Sequence, residues 1–168
     1  MYQHILLAVA LQQDDGISGH ALAARKVALS IARGSGAKLT VLIVYDYDSL
    51  DLSLSLPAED LSRYRDTQRA RIDEMMEQKM KTFLSIGEAV EVPITQVLKV
   101  GKPRTLIIST AEKLGVDLLV IEAHSKRGIV DALLGGTAAY LSRHAPCSVV
   151  TVEPREEGHS AGQNPGPV

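Results

Sequence analysis

Between Glu122 and Thr137 the chain reads E-A-H-S-K-R-G-I-V-D-A-L-L-G-G-T, and residue types able to handle an anion gather there. Gly135, Gly136 and Thr137 open a helical pattern. A helix start presents unpaired backbone N–H groups and the positive end of the helix dipole, and small residues let an anion come close. A phosphate, if one is bound, belongs here. Lys126 and Arg127 add positive charge to the preceding loop, and Gly128 adds flexibility. The same glycines would serve equally well if they only turned the chain from loop into helix. His124 and Ser125 set a base beside a hydroxyl, but adjacent residues at a strand exit point apart. No G-x-S-x-G elbow or third carboxylate surrounds them, so serine hydrolase chemistry is not expected. Nucleotide hydrolysis would need a phosphate cradle, a metal ligand and a water-positioning base, and only the first is partly visible. The general phosphate loop G-x-x-x-x-G-K-[ST] is absent as well. The chain reads as a non-enzyme.

Metal and thiol chemistry are no better supported. Asp46, Asp48 and Asp51 imitate a cation loop but lack the glycine, the closing Glu and the flanking helices of an EF-hand. No His pairs with another His, Cys or carboxylate at a metal-ligand spacing. Cys147, the single cysteine, sits in an apolar run and reads as a small core side chain. With 18 Lys plus Arg against 20 Asp plus Glu, the net charge of −2 gives no electrostatic reason to bind nucleic acid or an acidic membrane. No apolar run approaches the roughly 18 residues of a membrane span, and no basic segment precedes the apolar stretch at Met1 to Ala10. These features predict a cytoplasmic protein that does not insert into membranes.

The elements that would position the loop follow from the apolar pattern. His4 to Ala10, Lys38 to Val44, Val92 to Val100, Val116 to Ala123 and Ser148 to Val152 are short, β-branched or continuous apolar runs, as in strands covered on both faces. Between them lie helical patterns. His20 to Arg33 carries Ala21, Ala24, Ala28 and Ile31 on one face, with Gly34 and Gly36 as its stop. Pro57 to Ser85 carries the stripe Ile72, Met76, Met80 and Phe83, and Gly87 ends it. Arg104 to Leu114 turns Ile107, Ala111 and Leu114 inward before Gly115, and Gly136 to His144 packs through Ala138, Leu141 and Ala145. Strict alternation of strand and helix predicts an α/β fold with a parallel sheet, right-handed crossovers and helices on both faces. Ligands in such folds sit beyond the carboxyl ends of the strands. The polar loops are Leu11 to Gly19 and Tyr45 to Glu59, where Leu50, Leu52, Leu54 and Leu56 alternate with polar residues. One domain is expected over residues 1–153. Residues 154–168, rich in Gly, Pro and charge, are expected to form a disordered tail.

Three segments resemble the universal stress protein family: H-I-L-L-A-V-A near the start, V-G-K-P-R-T-L-I-I-S-T-A-E-K-L-G-V-D-L-L-V-I, and L-L-G-G-T-A-A-Y-L-S-R-H-A-P-C-S-V-V-T-V. The likeness extends over Met1 to Val152. It implies a five-stranded Rossmann-like sheet in the order 3-2-1-4-5, of the adenine-nucleotide alpha-hydrolase type. It also implies a homodimer formed through the last strand, here Ser148, Val149, Val150, Thr151 and Val152, and an exposed edge strand needs such cover.

Family members that bind ATP carry Gly-x-x-Gly, nine residues, then Gly followed by Ser or Thr. On this sequence those positions fall on Glu122, Ser125, Lys126 to Leu134, and the pair Gly135 and Gly136. Only the last Gly is kept in place, with Thr137 one residue late. The Asp that usually ends the first strand in binders is here Ala10. The resemblance therefore implies a small dimeric stress-response binding or regulatory module that acts without catalysis and has no need of nucleotide, docking on a protein partner through Tyr45 to Pro57. The alternative it implies is an ATP- or AMP-binding switch. Its candidate contacts are Val9, Ala10 and Val44 for the adenine, Ala123, His124, Ser125 and Gly128 along the loop, and Gly135, Gly136 and Thr137 for the phosphates.

Overall fold

A computed structural model describes residues 1–11, 16–47, 57–86, 91–123 and 136–153. Its elements in chain order are β1 (His4–Val9), α1 (Gly19–Ser35), β2 (Lys38–Tyr45), α2 (Ala58–Ser85), β3 (Ile94–Val100), α3 (Pro103–Leu114), β4 (Leu118–Glu122), α4 (Gly136–His144) and β5 (Ser148–Val152). All neighbouring strands pair in parallel, in the order β3-β2-β1-β4-β5. The architecture expected from the alternation and from the resemblance is the one observed.

The strand runs are continuously apolar because successive side chains point to opposite faces and both faces are covered. From β1, Ile5, Leu7 and Val9 enter one core, joined by Leu39, Val41 and Ile43 of β2. Ala21, Ala24 and Ala28 of α1 and Ile72, Met76, Met80 and Phe83 of α2 cover that face. Leu6 and Ala8 enter the opposite core with Leu42, Val44, Leu119 and Ile121, beneath Ile107 and Ala111 of α3 and Ala138 and Leu141 of α4. The alanine face of α1 lets that helix lie close to the sheet.

Local chemistry sets the ends. The Ser18 hydroxyl accepts the Ala21 N–H at 3.1 Å to cap α1. Gly36 and Gly115 close α1 and α3 with left-handed backbones, φ 70° and 58°. Gly34, read as a stop, lies inside the last turn of α1. Gly87, read as the end of α2, lies outside the described residues, as does the alternating-leucine segment. α2 has no basic residue in its last turn. Arg25 of α1 supplies one, its guanidinium donating to the carbonyls of Leu84, at 3.1 Å, and Ile86. Leu114 does not face inward as its spacing predicted: it is 37% exposed in the last turn of α3, and the buried inward positions are Ile107, Thr110 and Ala111. Thr110 is satisfied there by Lys99 Nζ, which donates to its hydroxyl at 2.6 Å. Cys147 is half-buried against the second core and not fully enclosed, and burial pushes its thiol up from the ordinary range.

Two polar clusters tie the frame together. Asp117 accepts the N–H groups of Gln3, at 2.8 Å, and His4, at 3.2 Å, which fixes the entry of β4 to that of β1. At the far end of β2, the Tyr45 and Tyr47 hydroxyls both donate to Asp73 of α2, at 2.8 and 2.6 Å. Burial raises both phenols, and their bonds to Asp73 raise them further.

His4 predicts a pH signature. Its ring is buried, with Nδ1 donating to the Leu114 carbonyl at 3.2 Å and Nε2 accepting from the Thr40 hydroxyl at 2.8 Å. That is the neutral tautomer. Burial holds its pKa below the ordinary 6.5 and nearby Lys38 lowers it further, against opposing contributions from the Leu114 carbonyl and Asp117. Below pH 6.5 the unfolded chain therefore binds the extra proton first. The stability carried by neutral His4 is complete above that pH and is lost as pH falls beneath it. Urea midpoints from pH 8 to pH 5 should decline, and His4→Gln should flatten the decline; an equal slope in that variant would refute the assignment.

Candidate functional site

The carboxyl ends of β1 and β4 are where the strand order reverses, since the chain leaves β1 toward β2 on one side and reaches β4 on the other. Connections diverge at such a point and leave a crevice. Here it is a cavity of about 230 Å3 beneath α3 and α4. Ala8, Leu42, Val44, Ile107, Ile121 and Leu141 make much of its apolar wall. All are second-core side chains: the period of two turns Ala8, Leu42, Val44 and Ile121 of the sheet to this face, and Ile107 and Leu141 come from the helices that cover it.

Glu122 is the one charged side chain among the described lining residues. It is the last residue of β4 and only 8% exposed. One carboxylate oxygen accepts the Ala10 N–H at 2.6 Å, which joins the exits of β1 and β4 across the crevice. The charge-assisted bond fits a β1 that stops at Val9, one residue before the expected end, because the Ala10 N–H has turned from the sheet ladder to a side chain.

Of the candidates read from the sequence, Val9, Ala10, Val44, Gly136 and Thr137 all line this cavity. Ala123 is buried at the same end of the sheet but does not line it; its N–H donates to the Val152 carbonyl at 2.9 Å. His124, Ser125, Gly128 and Gly135 lie outside the described residues. Pro103, Ile107, Ala138 and Leu141 line the cavity and were not anticipated as contacts. The inward stripes of α3 and α4 contain three of them, and which part of a stripe lies over the strand exits depends on how the helix docks, which spacing within the helix does not encode.

Gly136 begins α4 with Arg104 close by: a Cβ added to Gly136 would stand 2.6 Å from the Arg104 guanidinium. That guanidinium lies 5.4 Å from the centre of the Tyr140 ring, which stacks on His144. Arg104 thus reaches across the rim from α3 to α4 and does not line the interior. Among the described residues, the charges lining it are the Glu122 carboxylate and the positive end of the nine-residue helix α4. Helix ends contribute about 0.3–1 kcal/mol toward an anion. Two unit charges of like sign about 4 Å apart cost about 4 kcal/mol at an effective dielectric constant of 20. Among the described residues no group of three His, Cys, Asp or Glu could hold a metal ion, and no helix is long and apolar enough to cross a membrane.

The profile of the universal stress protein family matches residues 1–153. A universal stress protein A homologue of Coxiella burnetii is 32% identical over 81 residues, 48% of this chain and about half, 55%, of that protein. Among solved structures, the universal stress protein UspA from Lactobacillus plantarum superposes with a TM-score of 0.61 at 28% identity, covering 90% of this chain and 98% of its own. A universal stress protein in complex with cAMP shares the fold, with a TM-score of 0.57 at 24% identity over 90% of this chain and 97% of that one.

Proposed function

The chain belongs to the universal stress protein family, and we propose that within it this protein is a non-catalytic regulatory module that works as a dimer and does not use ATP. The observation that carries this reading is Glu122. In the lining of the crevice, a buried carboxylate bonded to the Ala10 N–H stands where ATP-binding members of the family carry the first glycine of their motif. A di- or triphosphate laid along the crevice toward α4 would meet that charge before it gained the weaker attraction of the helix start.

The dimer reading rests on β5. It is the edge of the sheet, and Val149, Val150 and Thr151 are half-buried on the single chain. An edge strand with unpaired backbone groups is a site for pairing with another chain, and a second copy would cover Ser148 to Val152. A cytoplasmic setting fits a module of this kind, and signalling would pass by contact with a protein partner.

Native mass spectrometry of the purified protein, alone and then with millimolar ATP and magnesium, tests both parts. The expected result is a dimer that acquires no adenine nucleotide. An adduct of ATP or AMP on each subunit would replace this reading with the switch, in which adenine lies against Val9, Ala10 and Val44 and phosphates lie at Gly136 and Thr137. cAMP, the ligand of the structural relative, belongs in the same titration as an anion with a single charge. A monomer at micromolar concentration would remove the dimer.

A further inference from the structure

We propose that the crevice between β1 and β4 binds a small, uncharged, largely apolar molecule, its body against Ala8, Leu42, Val44, Ile107 and Leu141 and its outer end at the mouth beside Thr137. The inference rests on the reading above, in which the crevice is not a phosphate site, and names the class of ligand it takes instead. Its volume of about 230 Å3 lies below the roughly 300–1,000 Å3 of pockets for drug-sized ligands, which limits the occupant to about one ring with a short arm. Among the described residues that line it, only Glu122 and Thr137 have polar side chains. Glu122 is already engaged, its carboxylate holding the Ala10 N–H. Thr137 is exposed in the first turn of α4. The inner wall is therefore aliphatic, and its members are buried, from Leu42 at 0% exposure to Val44 at 9%.

That wall decides between classes of ligand. Cores pack densely, and a void of this size forfeits contacts for every side chain around it unless something fills it. Ordered water needs roughly two to four polar partners, which aliphatic side chains do not supply. A charged ligand would leave its ionic group poorly solvated against them, and a polar heterocycle would leave ring donors and acceptors unpaired. An uncharged apolar body loses nothing of that kind and gains by leaving water. Its route in is short. Ala10 and Gly136, small and exposed, stand at the mouth with Thr137, so a ligand enters between the exit of β1 and the start of α4. The Thr137 hydroxyl can meet one polar group on the ligand, which orients it without a charge.

2-Phenylethanol, phenylacetate and phenethylamine share a ring and a short arm and end in a neutral, an anionic and a cationic group, which makes them the probes. Each is titrated into the full chain carrying isotope-labelled Ile, Leu and Val methyls and followed by NMR. The alcohol is expected to shift the methyls of Leu42, Val44, Ile107 and Leu141, while those of Ile5, Leu39 and Ile43, which face the other core, stay in place. It should bind about tenfold or more tightly than either ion, the scale of one polar group left unpaired. Ala8→Ile fills the crevice from the β1 side with a residue suited to a strand. This variant should weaken the alcohol by about tenfold, with a urea midpoint no lower than the native one. No shift at millimolar alcohol, shifts spread over both cores, or either ion binding as tightly as the alcohol would each overturn the proposal, as would undiminished affinity in folded Ala8→Ile. Should that variant not fold, the native titration decides alone. ATP added to the same sample separates the two readings. ATP binding with the preference for the alcohol intact removes only the reading above, whereas silence from alcohol and ATP alike removes only this one.

Discussion

Phe83→Ala is expected to lower the unfolding free energy by about 3–5 kcal/mol, the range for truncating a fully buried Phe. Phe83 is completely buried, and it is the last of the four side chains, with Ile72, Met76 and Met80, that bury α2 in its core. The rest of this 28-residue helix is mostly polar, so its place depends on that stripe. Phe83 has a second partner in Arg25, whose guanidinium lies 5.8 Å from the ring centre while donating to the Leu84 and Ile86 carbonyls. A cavity at Phe83 would loosen the guanidinium that closes the end of α2. Arg25→Met should therefore also destabilise, and the double variant should lose less than the sum of the singles, because the two act as one unit. Urea unfolding with an unchanged m-value is the measurement. A loss below about 1 kcal/mol for Phe83→Ala, or strict additivity with Arg25→Met, would show that α2 is held by something else.

That pair also marks how far sequence reasoning reaches. The Ile72 to Phe83 stripe follows from a period of 3.6 and came out as expected, because burial of such a stripe is a property of one helix. The partnership of Phe83 with Arg25 depends on how α1 lies against α2, and no spacing within either helix encodes it. The same division holds across the sheet. Continuous apolar runs and strict alternation make the parallel fold legible, and the strand order came from the family resemblance. Leu114 shows the limit, since a helical stripe places it inward but not how far the underlying sheet extends. At the candidate site, Ala10, Val44, Gly136 and Thr137 could be anticipated from their positions at element ends. The bond from Glu122 to the Ala10 N–H could not, because it joins residues 112 apart in sequence at a crevice that exists only once β4 has docked beside β1.

Glu122→Gln should strengthen binding of ATP by about 10- to 100-fold, which is about 1.4–2.7 kcal/mol. The change removes one negative charge and leaves the shape of the crevice, so it isolates electrostatics from packing. Like charges about 6–8 Å apart cost about 2–3 kcal/mol at an effective dielectric constant of 20, and salt screens part of that because the cavity opens toward solvent. Among the described residues, what attracts the phosphates is the start of α4 at Gly136 and Thr137, worth about 0.3–1 kcal/mol. Affinities of the native protein and the variant can be compared by isothermal titration at low and at physiological salt. A gain that shrinks as salt rises would identify the Glu122 charge as the barrier. No gain at low salt would move the cause to Ala10, which lacks the acidic side chain that ATP-binding members of the family usually carry there, and would make Glu122 a strut between two strands and nothing more.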